Sequence, residues 1–383
     1  MSSTAGLSLG SKAKAHFIML GGFLGAGKTT AVSKLAAHLT RQGVRVGLIT
    51  NDQGQNLVDT SWLRSKGFTT EEIPGGCFCC RFNSLIEAAG KLTASLQPHV
   101  LIAEPVGSCT DLVATVAFPL RRLFGDNFTV APVSVLIDPI RALRVFGLER
   151  GGNFSEKVIY VYNKQLEEAD LIVISKCELL EVARLDLLRQ AVARKFPTKR
   201  VVAVSSLLGT NLDEWFAHIT TSSQPEKRAI EVDYEVYADG EALLGWLNCT
   251  VRVSARQSFD AERLLKLLAG EIQNRLQARQ AQVAHLKMTF RADGSQLNEL
   301  AAVNLVRNDA APELSLNLKR PLQNGQLIIN LRAEAAPDLL DAVVRDGLAA
   351  AEKTFTGVRA AVEHLERFRP GKPRPTHRFE TVH

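Results

Sequence analysis

The chain has 383 residues, 46% of them hydrophobic, and a formal net charge of +6. That length allows two buried cores and excludes a small stapled domain. Six unevenly placed cysteines exclude a secreted disulfide framework, and no apolar run reaches membrane-spanning length, so a soluble, cytoplasmic protein is expected.

Residues 1–14 are small and polar, with Lys12 and Lys14, and read as a flexible N-terminus. An apolar strand is predicted at 16–20 and a helix at 29–42. Between them, Gly22-Phe23-Leu24-Gly25-Ala26-Gly27-Lys28-Thr29 fits the phosphate-binding pattern G-x-x-x-x-G-K-[ST]. Backbone N–H groups in such a turn cradle phosphate oxygens at the positive end of a helix. Lys28 is placed to reach the β- and γ-phosphates, and the Thr29 hydroxyl to hold Mg²⁺.

Further strands are predicted at 44–50, 99–104, 131–138, 170–176 and 200–205. Most are continuous Val/Ile/Leu runs, as expected of strands covered on both faces, and their alternation with helices predicts a mostly parallel sheet over residues 15–220. Ligands on such sheets sit at the strands' carboxyl ends, where every chemical motif of this chain falls.

Asn51-Asp52-Gln53-Gly54 leaves the second strand as a candidate first switch. Asp52 is a candidate for binding Mg²⁺ or orienting water and Gln53 for orienting water; a plain polar turn is the other reading. Glu104-Pro105-Val106-Gly107 ends the strand at 99–104. Glu104 can polarise a Mg²⁺ shell, and Gly107 can let the backbone approach a γ-phosphate. Ser175-Lys176-Cys177-Glu178 resembles the guanine-reading N-K-x-D, with Glu178 as the acceptor for guanine N1–H and N2–H₂. Lys176 would cover the base with its stem, and Ser205-Ser206 could complete the pocket.

Cys77-Phe78-Cys79-Cys80 follows the Pro74-Gly75-Gly76 turn and gathers three of the six cysteines. Thiolates suit Zn²⁺ and Cu(I) and are compatible with Co²⁺. Three ligands leave a tetrahedral ion one position short, which suits a site that accepts and releases metal. Buried small hydrophobes or a redox pair are the alternatives. Cys109 is either a fourth ligand or a buried thiol.

Residues 221–240 read as a linker carrying Glu231, Asp233, Glu235 and Asp239, with Glu241 just beyond it. Strands at 247–253, 283–290, 301–307 and 326–331, with helices at 260–276 and 337–350, predict a smaller α+β domain over 241–355, plausibly ferredoxin-like. Residues 356–383 read as a basic, Pro-rich tail, solvated and extended, in which Arg367, Arg369, Lys372, Arg374 and Arg378 alternate with prolines. The scattered charge argues against nucleic acid as a partner.

The order G-x-x-x-x-G-K-T, G-C-x-C-C, E-x-x-G and S-K-x-E resembles the CobW/HypB/UreG family of P-loop GTPases, in its CobW-like branch, over roughly residues 15–215. The resemblance implies an α/β P-loop domain that binds GTP or GDP with Mg²⁺ through Gly22, Gly25, Ala26, Gly27, Lys28, Thr29 and Thr30. It implies Glu104 as the Walker-B-type acid and Cys77, Cys79 and Cys80 as Zn²⁺ or Co²⁺ ligands. It also implies a metal chaperone serving a metal-requiring client protein or cofactor-pathway acceptor, possibly as a homodimer. Ser175 and Glu178 depart from the guanine motif, and a His-rich storage segment is missing, the eight histidines being dispersed. Two rival readings follow from the residues: a nucleotide-dependent regulator with structural or redox cysteines, and an ATP-using kinase or ligase.

Overall fold

The computed structural model describes residues 14–54, 58–295, 299–318 and 321–382; the expected flexible N-terminus, apart from Lys14, lies outside them. The first half alternates strands and helices. β1 (Ala15–Gly22), α1 (Lys28–Arg41), β2 (Val46–Asn51), α2 (Val58–Ser65) and β3 (Thr70–Ile73) come first. Next are α3 (Phe82–Leu96), β4 (Val100–Glu104), α4 (Phe118–Phe124), β5 (Phe128–Val130) and β6 (Ser134–Ile137). α5 (Pro139–Val145), α6 (Glu156–Glu168), β7 (Leu171–Ile174), α7 (Val182–Lys195), β8 (Arg200–Ala203) and α8 (Leu212–Thr221) complete the unit.

Its strands form one parallel sheet ordered β3-β2-β4-β1-β6-β7-β8, with β5 also on β1. β1 is central: His16 is paired with Val100 of β4 and Leu20 with Ser134 of β6. Phe17 and Met19 enter one apolar layer while Ile18 and Leu20 enter the other, which is why the strand is apolar throughout. β3 and β5 escape the hydrophobic pattern because they are four and three residues long, and β3 carries Glu71 and Glu72.

The second unit contains α9 (Tyr234–Leu243), β9 (Leu244–Phe259), α10 (Ala261–Ala278), β10 (Gln282–Ala292) and β11 (Leu300–Leu305). It continues through β12 (Glu313–Leu316), β13 (Leu322–Glu334), α11 (Pro337–Thr354) and β14 (Val358–Phe368). The sheet order is β12-β11-β10-β13-β9-β14, antiparallel at every pairing. Without β11 and β12, the order β14-β9-β13-β10 is that of a ferredoxin-like βαββαβ unit.

The two faces of this sheet differ. Leu286, Met288 and Phe290 join Leu264, Leu268, Leu340 and Val344 in a separate core beneath α10 and α11. The residues between them in β10, such as His285 and Lys287, belong to the opposite face, together with Asn330 and Arg332. That polar face packs on the first unit, and Trp246 and Ala284 enter the first unit's apolar cluster.

Two expectations need correction. The segment 221–240 is not a bare linker: α9 packs along α6, N-capped by Asp233, with Tyr237 and Glu241 buried. The segment from 356 on is not a solvated tail either. Its first part is β14, paired with β9, and its cations are consumed within the molecule. Arg367 bridges Asp338 and Asp341, Lys372 pairs with Glu235, and Arg378 pairs with Asp111. These three cations meet acids already placed by the fold, and Arg369 donates to the Ala242 carbonyl, so the chain is held rather than free.

Candidate functional site

The phosphate-loop sequence folds into a turn that only glycine can make. Gly22, Gly25 and Gly27 have φ of 129°, 80° and 88°, a region L side chains rarely enter. A Cβ at Gly22 would lie 2.2 Å from the Leu136 carbonyl oxygen. α1 begins at Lys28 directly after the turn, so its unpaired N–H groups face the loop interior. The loop is braced from behind: Ser175 Oγ donates to the Ala26 carbonyl (2.7 Å), Lys176 Nζ to that of Gly25 (2.9 Å), and Arg141 to that of Leu24. Lys28 is buried with Nζ 2.9 Å from the Gly22 carbonyl oxygen, and burial lowers its pKa against the pull of Glu104. The Thr30 side chain is exposed, which leaves its backbone N–H as what it can offer a phosphate.

Beside Lys28 lies a corner of hard oxygens. Thr29 Oγ1 is 2.9 Å from both Glu104 Oε1 and Asp59 Oδ1. Glu104 is buried, and its Oε2 has no partner. Burial first, then the neighbouring Asp59 charge, pushes its pKa up to about 7. A hydroxyl and two carboxylates, one of them with an orphaned buried oxygen, are a donor set that fits a small divalent cation. Lys287 completes the corner from β10, with Nζ 3.2 Å from Thr29 Oγ1 and paired with Asp59.

Sequence reasoning missed Asp59 and Lys287. Asp59 belongs to no motif, and Lys287 is 258 residues from Thr29. The readable signal is the alternation in β10, where a charged residue between buried Leu286 and Met288 marks a face turned away from the core.

Asp52 is elsewhere. It forms an ion pair with Arg332 of β13 (3.1 Å) and accepts a hydrogen bond from the Gly54 N–H (3.0 Å). Arg332 is buried, its guanidinium 4.0 Å from the Trp246 ring centroid. A buried cation requires a counter-charge, so Asp52 anchors the second unit instead of joining the corner. Gln53 reaches Glu241 (3.5 Å), which likewise turns it from the phosphate loop. Gly107 packs on Leu24, where a Cβ would lie 2.8 Å from Leu24 Cδ2 and 3.0 Å from Leu24 N.

On the base side, Lys176 lies along Gly27 and also pairs with Asp138 (3.0 Å). Glu178 keeps a buried Oε2 with no partner. Ser205 is fully buried, and its Oγ accepts the Leu208 N–H (2.9 Å), so it shapes the loop.

The three cysteines of the second motif converge at the start of α3. Gly75 and Gly76 take positive φ (75° and 146°), and the Cys80 and Arg81 N–H groups turn back to the Cys77 carbonyl (3.1 and 2.9 Å). The Sγ atoms of Cys77, Cys79 and Cys80 all lie within 4.8 Å of one another, at 2.8, 3.4 and 3.7 Å. A tetrahedral ion with metal–sulfur bonds of about 2.3 Å needs sulfurs about 3.8 Å apart, so small adjustments suffice. Cys77 is held well below the usual thiol range by hydrogen bonds from Cys109 first, then Cys79 and Cys80. Cys80, half-buried, is pushed up to about 11, chiefly by donating to Cys77.

Three segments hold this loop. Asn51 Nδ2, at the end of β2, donates to the Ile73 and Gly76 carbonyls (2.9 and 2.6 Å). The segment after Gly107 brings Cys109 against Cys77. The C-terminal segment crosses the cluster: the Arg374 N–H donates to Cys80 Sγ (3.1 Å) and the Thr376 N–H to the Cys79 carbonyl (2.8 Å).

Comparison with known proteins adds the following. The zinc chaperone YeiR of Escherichia coli strain K12 is 37% identical over 91 residues, 23% of this chain and 27% of that protein. The zinc chaperone CobW of a Sinorhizobium species is 30% identical over 202 residues, 46% of this chain and 55% of that protein. The chain thus spans about a quarter and about half of these relatives. The Zn(II)-bound YjiA GTPase of E. coli superposes over 89% of this chain and 99% of its own, at 13% identity and a TM-score of 0.38, too low to carry weight. Among the described residues no helix is long and apolar enough to cross a membrane. The CobW/HypB/UreG nucleotide-binding domain matches residues 16–203, and over that span the chain is a member of this family.

Proposed function

We propose that the protein binds and hydrolyses GTP and couples its nucleotide state to the binding of Zn²⁺ or Co²⁺ at Cys77, Cys79 and Cys80, delivering the ion to a metal-requiring client. One observation carries this reading: both segments that leave strands beside the phosphate loop also hold the cysteine loop. Asn51 binds the Gly76 carbonyl, and two residues past Gly107 stands Cys109, against Cys77. A change at the γ-phosphate is therefore transmitted over a few residues to the thiols.

The loop N–H groups and Lys28 bind the phosphates, and Glu178 accepts from the base, favouring guanine. Thr29, Glu104 and Asp59 hold Mg²⁺, which when bound neutralises charge on the β- and γ-phosphate oxygens. Hydrolysis is the in-line attack of water on the γ-phosphorus, giving GDP and phosphate. The chain's contribution is positioning and charge: Lys28 beside the transferred group, and Gly107 admitting the backbone to it. The metal is cargo, and the half-buried Cys80 is the edge from which it leaves.

The test is Zn²⁺ affinity of the apo-protein against a chromophoric chelator, with GDP and with a non-hydrolysable GTP analogue. A Cys77/Cys79/Cys80→Ser variant runs in parallel. Affinity that shifts with nucleotide and vanishes in the variant is expected. Equal binding by both proteins in both nucleotide states overturns the reading and favours a regulator whose cysteines have another role.

A further inference from the structure

Past β14 the chain alternates in exposure as it crosses the cysteine loop. Pro373, Pro375, His377 and Phe379 are buried or half-buried, while Arg374, Thr376, Arg378 and Glu380 are exposed. A period of two belongs to an extended segment, and the prolines enforce it. Each fixes its own φ and holds the residue before it extended. Pro373 and Pro375 also lack an N–H, so this stretch can neither continue a helix nor join a sheet as an inner strand. Within 373–376 only Arg374 and Thr376 have backbone N–H groups, and both are spent on the cysteine loop. Arg374 donates to Cys80 Sγ (3.1 Å) and Thr376 to the Cys79 carbonyl (2.8 Å), and the Thr376 hydroxyl donates to the Cys80 carbonyl (3.3 Å).

These contacts fall on the open side of the cluster. Cys77 and Cys79 are 4% and 1% exposed, whereas Cys80 is half-buried, and Cys80 is the sulfur that the segment touches. The segment is held unequally along its length. Downstream, Arg378 Nε donates to Asp111 Oδ2 (2.7 Å), a buried oxygen that also accepts from the Tyr234 hydroxyl (2.7 Å). The His377 ring stands edge-on to Phe82 at 5.1 Å, and the Phe379 N–H donates to the Ala114 carbonyl (3.0 Å). Upstream, Lys372 pairs with Glu235 in an exposed contact that holds little. The span between them crosses the sulfurs on hydrogen bonds at the surface, and such a span opens locally without unfolding either core.

We propose that residues 373–379 are a strap that closes the thiol cluster, so that solutes reach Cys80 only when the strap lifts. The inference rests on the proposed metal function and adds its gate. With the strap down the ion is retained; with it lifted the ion passes to a client's ligand. A gate acts on entry and exit alike, whereas loss of a bond that favours the loaded state speeds exit alone.

Alkylation of the full-length apo-protein by iodoacetamide, read at Cys80 by peptide mass spectrometry, tests the closed strap without metal. The reagent is neutral, so nearby cations do not steer it. Arg374→Pro removes the N–H on Cys80 Sγ while keeping the chain extended, and Thr376→Pro removes the one on the Cys79 carbonyl. Each is expected to speed alkylation of Cys80 about tenfold, the open population gained by losing one such hydrogen bond. Arg374→Ala keeps the N–H and should react as wild type does. GDP affinity verifies that the variants are folded. Unchanged rates in both proline variants overturn the proposal. A second arm follows Zn²⁺ entry and exit by stopped flow with a chromophoric chelator. Both rates should rise about tenfold in the proline variants, with Kd moved less than about threefold. Faster exit with unchanged entry overturns the gate. Faster alkylation in a protein that binds no Zn²⁺ upholds the strap and removes the metal function, so the two failures are distinct.

Discussion

The phosphate corner and the thiol cluster lie at the carboxyl ends of the same sheet's strands but are built by opposite means. At the corner, charges face one another directly: Lys28, Lys287, Asp59 and Glu104 crowd around Thr29, and Glu104 keeps a buried oxygen unpaired. At the cluster the sulfurs satisfy one another, with Cys77 accepting from its neighbours. The corner suits an entering hard cation and polyanion, whereas the cluster is a soft site that closes on itself. The difference teaches that a hard and a soft ligand would not compete for the same donors, and that what joins the two places is the Asn51 side chain and the Gly107–Cys109 segment.

The comparison breaks most severely at Gly22. Gly22→Ala forces a Cβ to within 2.2 Å of the Leu136 carbonyl oxygen in a left-handed conformation. It should cost about 3–5 kcal/mol in denaturant unfolding and abolish nucleotide binding. Next comes separability of the sites. Lys28→Ala should weaken triphosphate binding roughly a hundredfold or more by titration calorimetry while leaving one equivalent of Zn²⁺ bound. A matching loss of zinc would show that the corner and the cluster are one site.

Lys287 sharpens the contrast, because it is the point at which the second unit enters the corner. Lys287→Ala leaves Asp59 without its ion-pair partner and should destabilise the fold by about 1–3 kcal/mol, with Asp59→Asn in the same chain restoring most of it. Additive effects would mean that the pair is not coupled.

The smallest effect concerns Glu168, which faces neither ligand. It accepts from Thr110 Oγ1 and the Val113 N–H, and burial pushes its pKa from 4.5 to about 8. Between those values the folded chain holds a proton that the unfolded chain has lost, so this stabilisation falls as pH rises and is gone above about 8. Glu168→Gln should flatten the decline of Tm from pH 5 to 8 and add about 1–2 kcal/mol at the alkaline end. An unchanged slope would place the titrating group elsewhere.

The amino-acid sequence by itself determined whatever depends on neighbours in the chain. The glycines of the phosphate loop impose their turn through backbone conformation, and the apolar runs of β1, β4 and β7 demand burial on both faces. Cys77, Cys79 and Cys80 lie within one turn of chain and can hardly avoid one another. Tertiary structure decided the rest. It drew Asp52 away to the buried Arg332, because a desolvated guanidinium needs a counter-charge more than a polar turn needs an acid. It brought Lys287 to Thr29 and laid the C-terminal segment over Cys79 and Cys80. Such contacts join residues hundreds of positions apart. They follow from which faces of the two sheets are left polar once their cores are filled, and periodicity along a single strand records that a face is polar but not what it will meet.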